Sequence, residues 1–309
     1  MPEMSLQAPR SQGDMVESYR QWIVGVRGLA KETAAERVAL ARRFLDFLRT
    51  RGRDLADARP VDVDAFFAEN AKRWKRLTVR QFSGCLRDFL SYAAQRRWCA
   101  QNLSLSILSP RIYSQEGLPY HAPWAKVQEM LRSSAKDKSV LGRRSHAMLM
   151  VLATYGIRSG EVVRLRLGDI DWRKETIFFD RSKGGRSQTM PLVPAVGDAI
   201  LRYIRNARHN EGTSDALFLR HDSPYGAINC HHVYKTVRKA LVGVGVECAH
   251  LGPHCLRHSL ATRLVNEGSS MKEVSEMLGH RSLKSTAIYA KVDLASLREV
   301  ADMDWEVVL

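Results

Sequence analysis

Apolar residues recur at intervals of three and four along most of the chain, which is the spacing of one face of an α-helix. Before residue 108 this pattern predicts four helices. The first starts at Asp14 and ends at Gly28. The second lies in KETAAERVALARRFLDFLRT, where Thr33 and Glu36 have capping-box spacing. The third is a short helix at VDVDAFFAENAK, and the fourth follows a Thr78 cap. Residues 1–13 have no such pattern, so we expect a flexible tail.

A stretch without periodicity, LSPRIYSQEGLPYHAP, holds three prolines and a glycine and predicts an interdomain linker over residues 109–122. Beyond it the helical spacing returns, with one strongly apolar helix that ends at Gly156 and a later one that ends at Gly279. Between them TIFFDRSKGGRSQTMPL alternates like two strands of a hairpin, and DALFLR reads as a further strand. The expected fold is mainly α with a small β-hairpin or sheet.

The charge of the chain narrows the choice of partners. Its 309 residues are enough for two domains, and its 45% hydrophobic and 26% charged residues are ordinary for a soluble protein. The net charge of +15 is not ordinary, and both halves carry an excess of Lys and Arg. A solvated basic surface is the plainer interpretation, while nucleic acid is the sharper one. The helical N-terminal half supplies the candidate DNA contacts Arg37, Arg42, Arg43, Arg76, Arg80 and Arg87.

Other site classes find little support in the sequence. Five cysteines are an odd number without a C-x-x-C spacing, which predicts free thiols in a reducing compartment. Cys230, His231 and His232 are adjacent, so their side chains diverge on a helix, and we expect no metal and no cofactor. The start of the chain lacks a signal pattern, and the apolar run 147–153 is too short to span a membrane. We therefore expect a cytoplasmic protein with no membrane partner.

The densest candidate chemistry lies between residues 251 and 291. His254 and Arg257 are three residues apart in a helical segment, so they project from one face of the same turn. His280 follows the end of the next helix, and Tyr289 comes nine residues later. A phenol, with an ordinary pKa of about 10, is a poor nucleophile unless nearby cations or a base activate it. The histidines and arginine can supply that activation, although each residue alone is more often structural.

The motifs ATYGIRSGEV, SKGG, HCLRH and LGH, followed by a tyrosine, resemble in order and spacing the tyrosine recombinase (phage integrase) family, which includes the Xer proteins. The resemblance implies a helical, SAM-like core-binding DNA-binding domain over residues 14–108 and a catalytic domain with a C-terminal docking tail over residues 123–309. Carried over position by position, it implies the catalytic set Arg158, Lys183, His254, Arg257, His280 and Tyr289. All six reactive positions are filled, which favours an active enzyme over a vestigial DNA-binding relative.

The resemblance also implies what such a protein does. It implies a site-specific DNA recombinase, with chemistry like that of a type IB topoisomerase, that cleaves and rejoins strands through a 3′-phosphotyrosine intermediate. We expect it to integrate, excise or transpose a mobile element, with a chromosome-dimer-resolving Xer-type recombinase as the alternative. The implied partners are double-stranded DNA, three further copies of the chain on two DNA sites with the tail docked in trans, and accessory DNA-bending proteins. A topoisomerase and a metal-dependent nuclease are the competing enzyme classes.

Overall fold

A computed structural model describes residues 11–111, 121–181, 187–209, 214–223, 225–248 and 250–279. The chain divides into two compact units, residues 1–116 and 117–309, called here the N-terminal and C-terminal units. Each has its own hydrophobic core. Among the described helices, none combines the length and the hydropathy that crossing a bilayer requires.

Four helices form the N-terminal unit: α1 Gln12–Gly25, α2 Lys31–Thr50, α3 Pro60–Ala71 and α4 Arg76–Gln95. The helices were predicted, but two of the predicted starts were wrong. The N-cap of α2 is Ala30 rather than Thr33, and the N-cap of α4 is Lys75 rather than Thr78. In both cases the residues before the threonine favour a helix, so the helix extends past the threonine and places it in the first turn.

The core of the N-terminal unit is aromatic. Tyr19 of α1 meets Phe89 of α4 with ring centroids 5.2 Å apart, and Phe44 of α2 meets Phe66 of α3 edge to face at 5.3 Å. All four side chains are fully buried. Each helix therefore turns its apolar stripe inward, and arginines such as Arg42 and Arg80 are left on the outer faces.

The C-terminal unit contains seven helices within the described residues: α5 Trp124–Ser134, α6 Val140–Tyr155, α7 Ser159–Arg164, α8 Pro194–Asn206, α9 Cys230–Gly243, α10 Pro253–Asn266 and α11 Met271–Leu278. The apolar helix α6 packs against α5, α8, α9 and α10, and residues 147–153 of it are almost wholly buried. It ends at Gly156, whose φ of 57° lies in the left-handed region. This core helix and its glycine end were both predicted correctly.

A three-stranded antiparallel sheet completes this unit, in the order β1 (Ile170–Asp171), β2 (Thr176–Phe179), β3 (Gln188–Pro191). Ile177 pairs with Met190, and Phe179 pairs with Gln188. Ile177 and Phe179 are buried while Phe178 is exposed, which is the alternation of a sheet with one face on the core. The mainly helical fold with a small sheet is thus confirmed.

The prediction of a strand at DALFLR was wrong. The segment makes only isolated bridges, at Ala216 and Leu219. The buried Arg208 explains this, because its guanidinium donates to the carbonyls of Ala216 and Leu217 at 2.9 and 3.2 Å and to that of Ser214 at 2.8 Å. A side chain thus takes the acceptors that a neighbouring strand would otherwise use.

Candidate active site

Arg158 lies in the turn between α6 and α7. It is the N-cap of α7, and its backbone N–H donates to Glu161 Oε2 at 3.1 Å. Its guanidinium donates to Glu161 Oε1 at 2.9 Å. The Glu161 side chain is only 3% exposed, whereas that of Arg158 is 32% exposed. The buried Glu161 carboxylate therefore holds the Arg158 guanidinium in place and leaves part of it accessible to solvent.

Arg257, on the first turns of α10, is only 4% exposed. It donates from Nη1 to the carbonyl of Gly156 at 2.7 Å and from Nη2 to the carbonyl of Leu278 at 2.8 Å. The first carbonyl ends α6 just before Arg158, and the second ends α11. The Arg257 guanidinium thus links the start of α10, which carries it, to the ends of α6 and α11.

Gly156 makes this arrangement possible. In addition to its positive φ, a Cβ at this position would lie 2.7 Å from Leu278 Cδ2 and 3.0 Å from Leu260 Cδ2. The first distance is one that real Cβ atoms essentially never show, and the second is tighter than nine in ten real Cβ contacts. Both leucines are buried, so any other residue here would force their side chains to repack between α10, α11 and the Arg158 turn.

His254 is the second residue of α10 and reaches solvent. Surrounding protein atoms, and then the charges of Arg257 and Arg158, lower its pKa from the ordinary value of 6.5. The ring is therefore neutral at physiological pH and can accept a proton. One turn later, His258 has a pKa lowered to about 4, first by burial and then by His254 and Arg257.

Two of the remaining candidates, His280 and Tyr289, follow α11 in the sequence. Ser270 and Glu273 form a capping box at the start of this helix, and Gly279 ends it with a φ of 64°. The glycine end matches the prediction. Lys183, His280 and Tyr289 lie outside the described residues. Within the described ranges, the structure therefore brings together Arg158, His254 and Arg257.

Two charged side chains that the sequence reasoning did not assign belong to the same cluster. Glu161 binds Arg158, and its position three residues after that arginine in a short helix was an available signal. Arg181, two residues after the end of β2, is 1% exposed, and its Nε lies 3.5 Å from Glu161 Oε2. The alternating strand pattern gave no signal for Arg181, because an arginine at a strand end is usually solvated.

The DNA-contact candidates of the N-terminal unit fall into two groups. Arg37 and Arg87 are half-buried and engaged inside the unit. Arg37 forms an ion pair with Asp88 of α4. Arg87 donates to the carbonyl of Ile107 at 2.8 Å and to the hydroxyl of Ser109 at 3.1 Å. Arg37 thus links α2 to α4, and Arg87 supports the packing of the segment that follows α4.

The other four candidates are exposed. The Arg43 guanidinium stacks over the Trp74 ring at 5.3 Å, and Arg76 donates to the carbonyl of Arg111 at 2.5 Å. Arg42 and Arg80 make no hydrogen bond or ion pair with other residues that the structure describes. Of the six, these two are the most available to an anionic partner.

Metal and cysteine chemistry do not stand out in the described ranges. No cluster of three or more His, Cys, Asp or Glu side chains suited to a metal ion occurs within them. All five cysteines are free thiols, as predicted, and the Sγ atoms of Cys248 and Cys255 lie 3.9 Å apart.

Sequence comparison places this chain among known proteins. Residues 125–295 match the profile of the phage integrase family. A Sinorhizobium fredii protein that carries the name integrase/recombinase y4rA is 35% identical over 288 residues, which cover 93% of this chain and 69% of that protein. The tyrosine recombinase XerC of Oceanobacillus iheyensis is 31% identical over 262 residues, covering 83% of this chain and 84% of the relative.

Solved structures share the fold. The XerH site-specific recombinase bound to a palindromic difH substrate, in a post-cleavage complex, matches with a TM-score of 0.72 at 20% identity, covering 96% of this chain and 85% of that one. A lambda integrase (75–356) dimer bound to a COC′ core site matches with a TM-score of 0.69 at 14% identity, covering 90% and 94%. At these identities the likeness concerns the fold alone.

Proposed function

The chain belongs to the phage integrase family and is a tyrosine recombinase, an enzyme that cleaves and rejoins DNA strands; from this premise we propose which of its residues act and how. Tyr289 attacks the scissile phosphodiester. The attack leaves a 3′-phosphotyrosine and a free 5′-hydroxyl. Because the covalent link conserves the energy of the phosphodiester, the 5′-hydroxyl of another strand reverses the step without ATP.

Arg158 and Arg257 are the phosphate clamp, by which we mean the two guanidinium groups that stabilise the phosphate. A phosphodiester under attack accumulates negative charge on its non-bridging oxygens, which two guanidinium forks match without ever losing their charge. The observation that carries this assignment is the pair of hydrogen bonds from Arg257 to the carbonyls of Gly156 and Leu278. These bonds hold α10 beside the Arg158 turn before any substrate binds, so the charges need no reorganisation during the reaction.

Proton transfers fall to the histidines and the lysine. His254, whose pKa is lowered below 6.5 by burial, Arg257 and Arg158, is neutral and takes or shares the phenolic proton of Tyr289. Lys183 protonates the departing 5′-oxygen, and His280 donates a hydrogen bond to the phosphate. These roles need no metal ion, since arginines stabilise the charge and side chains move the protons. We therefore expect activity in the presence of a chelator.

A covalent-adduct experiment tests this chemistry. The purified protein is incubated in chelator with DNA from the flanks of its own gene, built as a nicked suicide substrate, and resolved on a denaturing gel. We expect a protein–DNA adduct with the wild-type chain and none with Tyr289→Phe. Clear DNA binding without an adduct would favour a vestigial, purely DNA-binding relative. Loss of cleavage in chelator would favour a metal-dependent nuclease.

DNA is the proposed macromolecular partner, and the N-terminal unit is its proposed core-binding domain. The charge of +15, spread over both halves, and the exposed Arg42 and Arg80 support this. The related solved structures are recombinases bound to DNA sites. We propose that four copies act on two sites, with accessory DNA-bending proteins as further partners.

The C-terminal tail is the proposed contact between copies. Leu294, Leu297 and Val300 have helical spacing, and an apolar end follows. Residues 294–309 lie outside the described part of the chain. We propose that this tail docks on a neighbouring copy. Its removal should reduce the pairing of two DNA sites more than binding to one site, as measured by native gel shift, and equal loss of both would contradict trans docking.

Movement of a mobile element is the biological role we favour. The matched relative y4rA carries an integrase/recombinase name, which supports this role, while the XerC similarity supports chromosome-dimer resolution as the second candidate. Repeating the adduct experiment with fragments of the whole chromosome and mapping the nick separates the two. A site at the boundary of a mobile element would support the first, and a single chromosomal site would support the second.

A further inference from the structure

Arg181 is a buried cation that the proposed mechanism does not use. It follows β2 and is 1% exposed, among the most buried large side chains in the described residues. Burying a guanidinium is costly unless it is paired and hydrogen-bonded. Burial is the first cause that lowers its pKa, with Arg158 acting in the same direction and Glu161 opposing. The contacts that offset the cost of burying Arg181 therefore indicate what this side chain does.

Those partners hold Arg181 in one orientation. Its Nη1 donates to Gln188 Oε1 at 3.0 Å, and both Nη atoms donate to the carbonyl of Met277 at 3.2 Å. A Cβ at Gly279 would overlap the guanidinium, so the glycine that ends α11 also makes room for it. The next carbonyl, that of Leu278, is bound by Arg257. Two arginines thus hold consecutive carbonyls at the negative end of the α11 dipole.

The contact that concerns catalysis is with Glu161. This carboxylate accepts from Arg158 through Oε1 at 2.9 Å, and its Oε2 lies 3.5 Å from Arg181 Nε. One buried negative charge is therefore shared by two guanidinium groups. If Glu161 faced Arg158 alone, the pair would be neutral where the phosphate clamp needs positive charge. With Arg181 present, the three side chains together carry one positive charge.

We propose that Arg181 is a positioning residue of the phosphate clamp: by sharing Glu161 with Arg158, it keeps the Arg158 guanidinium effective against the charge of the scissile phosphate. The inference rests on the proposed function. A purely structural role of Arg181 would affect charged and uncharged substrates alike, whereas the proposed role depends on the charge of the substrate. An effect exerted through Lys183, two residues further along the chain, would instead depend on the leaving 5′-oxygen.

The test is single-turnover adduct formation on two suicide substrates, one with an ordinary scissile phosphate and one with a methylphosphonate, which lacks a negative charge. On the ordinary phosphate, Arg181→Met should form the adduct about ten- to hundredfold more slowly, the loss typical when a residue that orients a ligating or catalytic group is removed. Arg181→Lys, which keeps the charge, should lose less. On the methylphosphonate, wild type and Arg181→Met should differ by less than about threefold, because its transition state carries one negative charge fewer for the clamp to stabilise.

Arg144 provides the matched control. It is also a buried arginine of the C-terminal unit, donates to a backbone carbonyl (Leu219, 2.8 Å) and has its pKa lowered by burial. Any loss of rate in Arg144→Met should be equal on the two substrates. An equal loss for Arg181→Met on both substrates would overturn the proposal. A 5′-bridging phosphorothiolate has a sulfur leaving group that departs without a proton. If this substrate restored the rate of Arg181→Met and the methylphosphonate did not, the proposal would also be overturned.

A double variant covers the case in which Arg181→Met does not fold. Glu161→Gln combined with Arg181→Met removes both buried charges and leaves Arg158 unopposed. On the ordinary phosphate, adding Arg181→Met to Glu161→Gln should slow the reaction by less than about threefold, since Arg181 acts through the carboxylate that Glu161→Gln has already removed. A further loss of more than about threefold in the folded double variant, relative to Glu161→Gln alone, would overturn the proposal. If the wild-type chain forms no adduct through Tyr289, the proposed function fails instead, so the two failures are distinguishable.

Discussion

Arginine side chains in the two units differ in what they contact. In the C-terminal unit, Arg257 and Arg181 are buried, and backbone carbonyls at helix ends accept from them. In the N-terminal unit, Arg42 and Arg80 lie on the outer faces of α2 and α4, exposed to solvent. A fixed, desolvated guanidinium stabilises charge at one point in space, whereas a mobile exposed one neutralises a long polyanion without selecting an atom. On the proposed function, one residue type serves chemistry in the C-terminal unit and DNA affinity in the N-terminal unit.

The largest effects should come from the fixed arginines. Arg257→Lys keeps the charge but loses the fork, so adduct formation should fall by about 10²–10³-fold, as for a lost transition-state donor. Stability should fall as well, by about 1–3 kcal/mol for each carbonyl left without its donor. Adduct gels and thermal unfolding measure the two effects.

Arg158→Lys separates the effect on the rate from the effect on stability. Arg158 is 32% exposed, and its described contacts are made within its own turn, so the substitution should reduce the rate similarly while changing the unfolding temperature little. If both variants lost rate but neither lost stability, the view of Arg257 as the link between helix ends would be wrong.

Gly156→Ala tests whether helix ends, rather than the arginines alone, set the site. A left-handed φ disfavours alanine by about 1 kcal/mol, and the overlap with Leu278 adds to that. We expect a lower unfolding temperature together with slower adduct formation, because α11 and the Arg158 turn move apart.

Gly245→Ala is the matched control for this change. Gly245 has a φ of 70°, but a Cβ there would meet nothing within 4 Å. It should therefore show the backbone strain alone, with adduct formation at the wild-type rate. Equal effects of the two substitutions on the rate would mean that close packing at Gly156 does not matter for the site.

Sequence reasoning predicted the helices of both units, the β2–β3 pairing and the glycine ends of α6 and α11. These depend on local periodicity and on backbone angles that only glycine adopts readily. It failed where a distant side chain intervened, as at DALFLR, where Arg208 takes the carbonyls that a strand would use. No pattern local to that segment carries such information.

The candidate site shows the same limit. Motif spacing singled out Arg158, His254 and Arg257, which the structure brings together, but not the charges that surround them. Glu161 and Arg181 are 20 residues apart in sequence and meet only because the residues that follow β2 lie beside α7, where Arg164 also donates to Asp180. Pairing of this kind follows from tertiary structure, so single-sequence reasoning had no means of finding Arg181.

The pH dependence of adduct formation tests the electrostatics around Arg158, His254 and Arg257. Burial, Arg257 and Arg158 lower the pKa of His254 from its ordinary value of 6.5, so the ring is mostly neutral at neutral pH and reaches half-protonation only below pH 6.5. The rate of adduct formation should be nearly constant at neutral pH and then fall by about tenfold per pH unit once the pH is below the pKa, as expected for loss of a general base. His254→Asn should be slower and lack this acid limb. An acid limb centred above pH 6.5 would contradict the assignment.

The smallest effects should come from the exposed arginines. Arg42→Gln combined with Arg80→Gln should weaken DNA binding and reduce the slope of log K against log salt by about one for each phosphate that is no longer neutralised. At saturating protein the rate of adduct formation should stay at the wild-type value, because neither side chain belongs to the clamp. Arg20→Gln is the control, since Arg20 is exposed on α1 but already paired with Glu17. If the double change altered the salt slope no more than the control, the N-terminal unit would owe its affinity to other side chains; if it slowed the saturated rate, the separation of chemistry from affinity would fail.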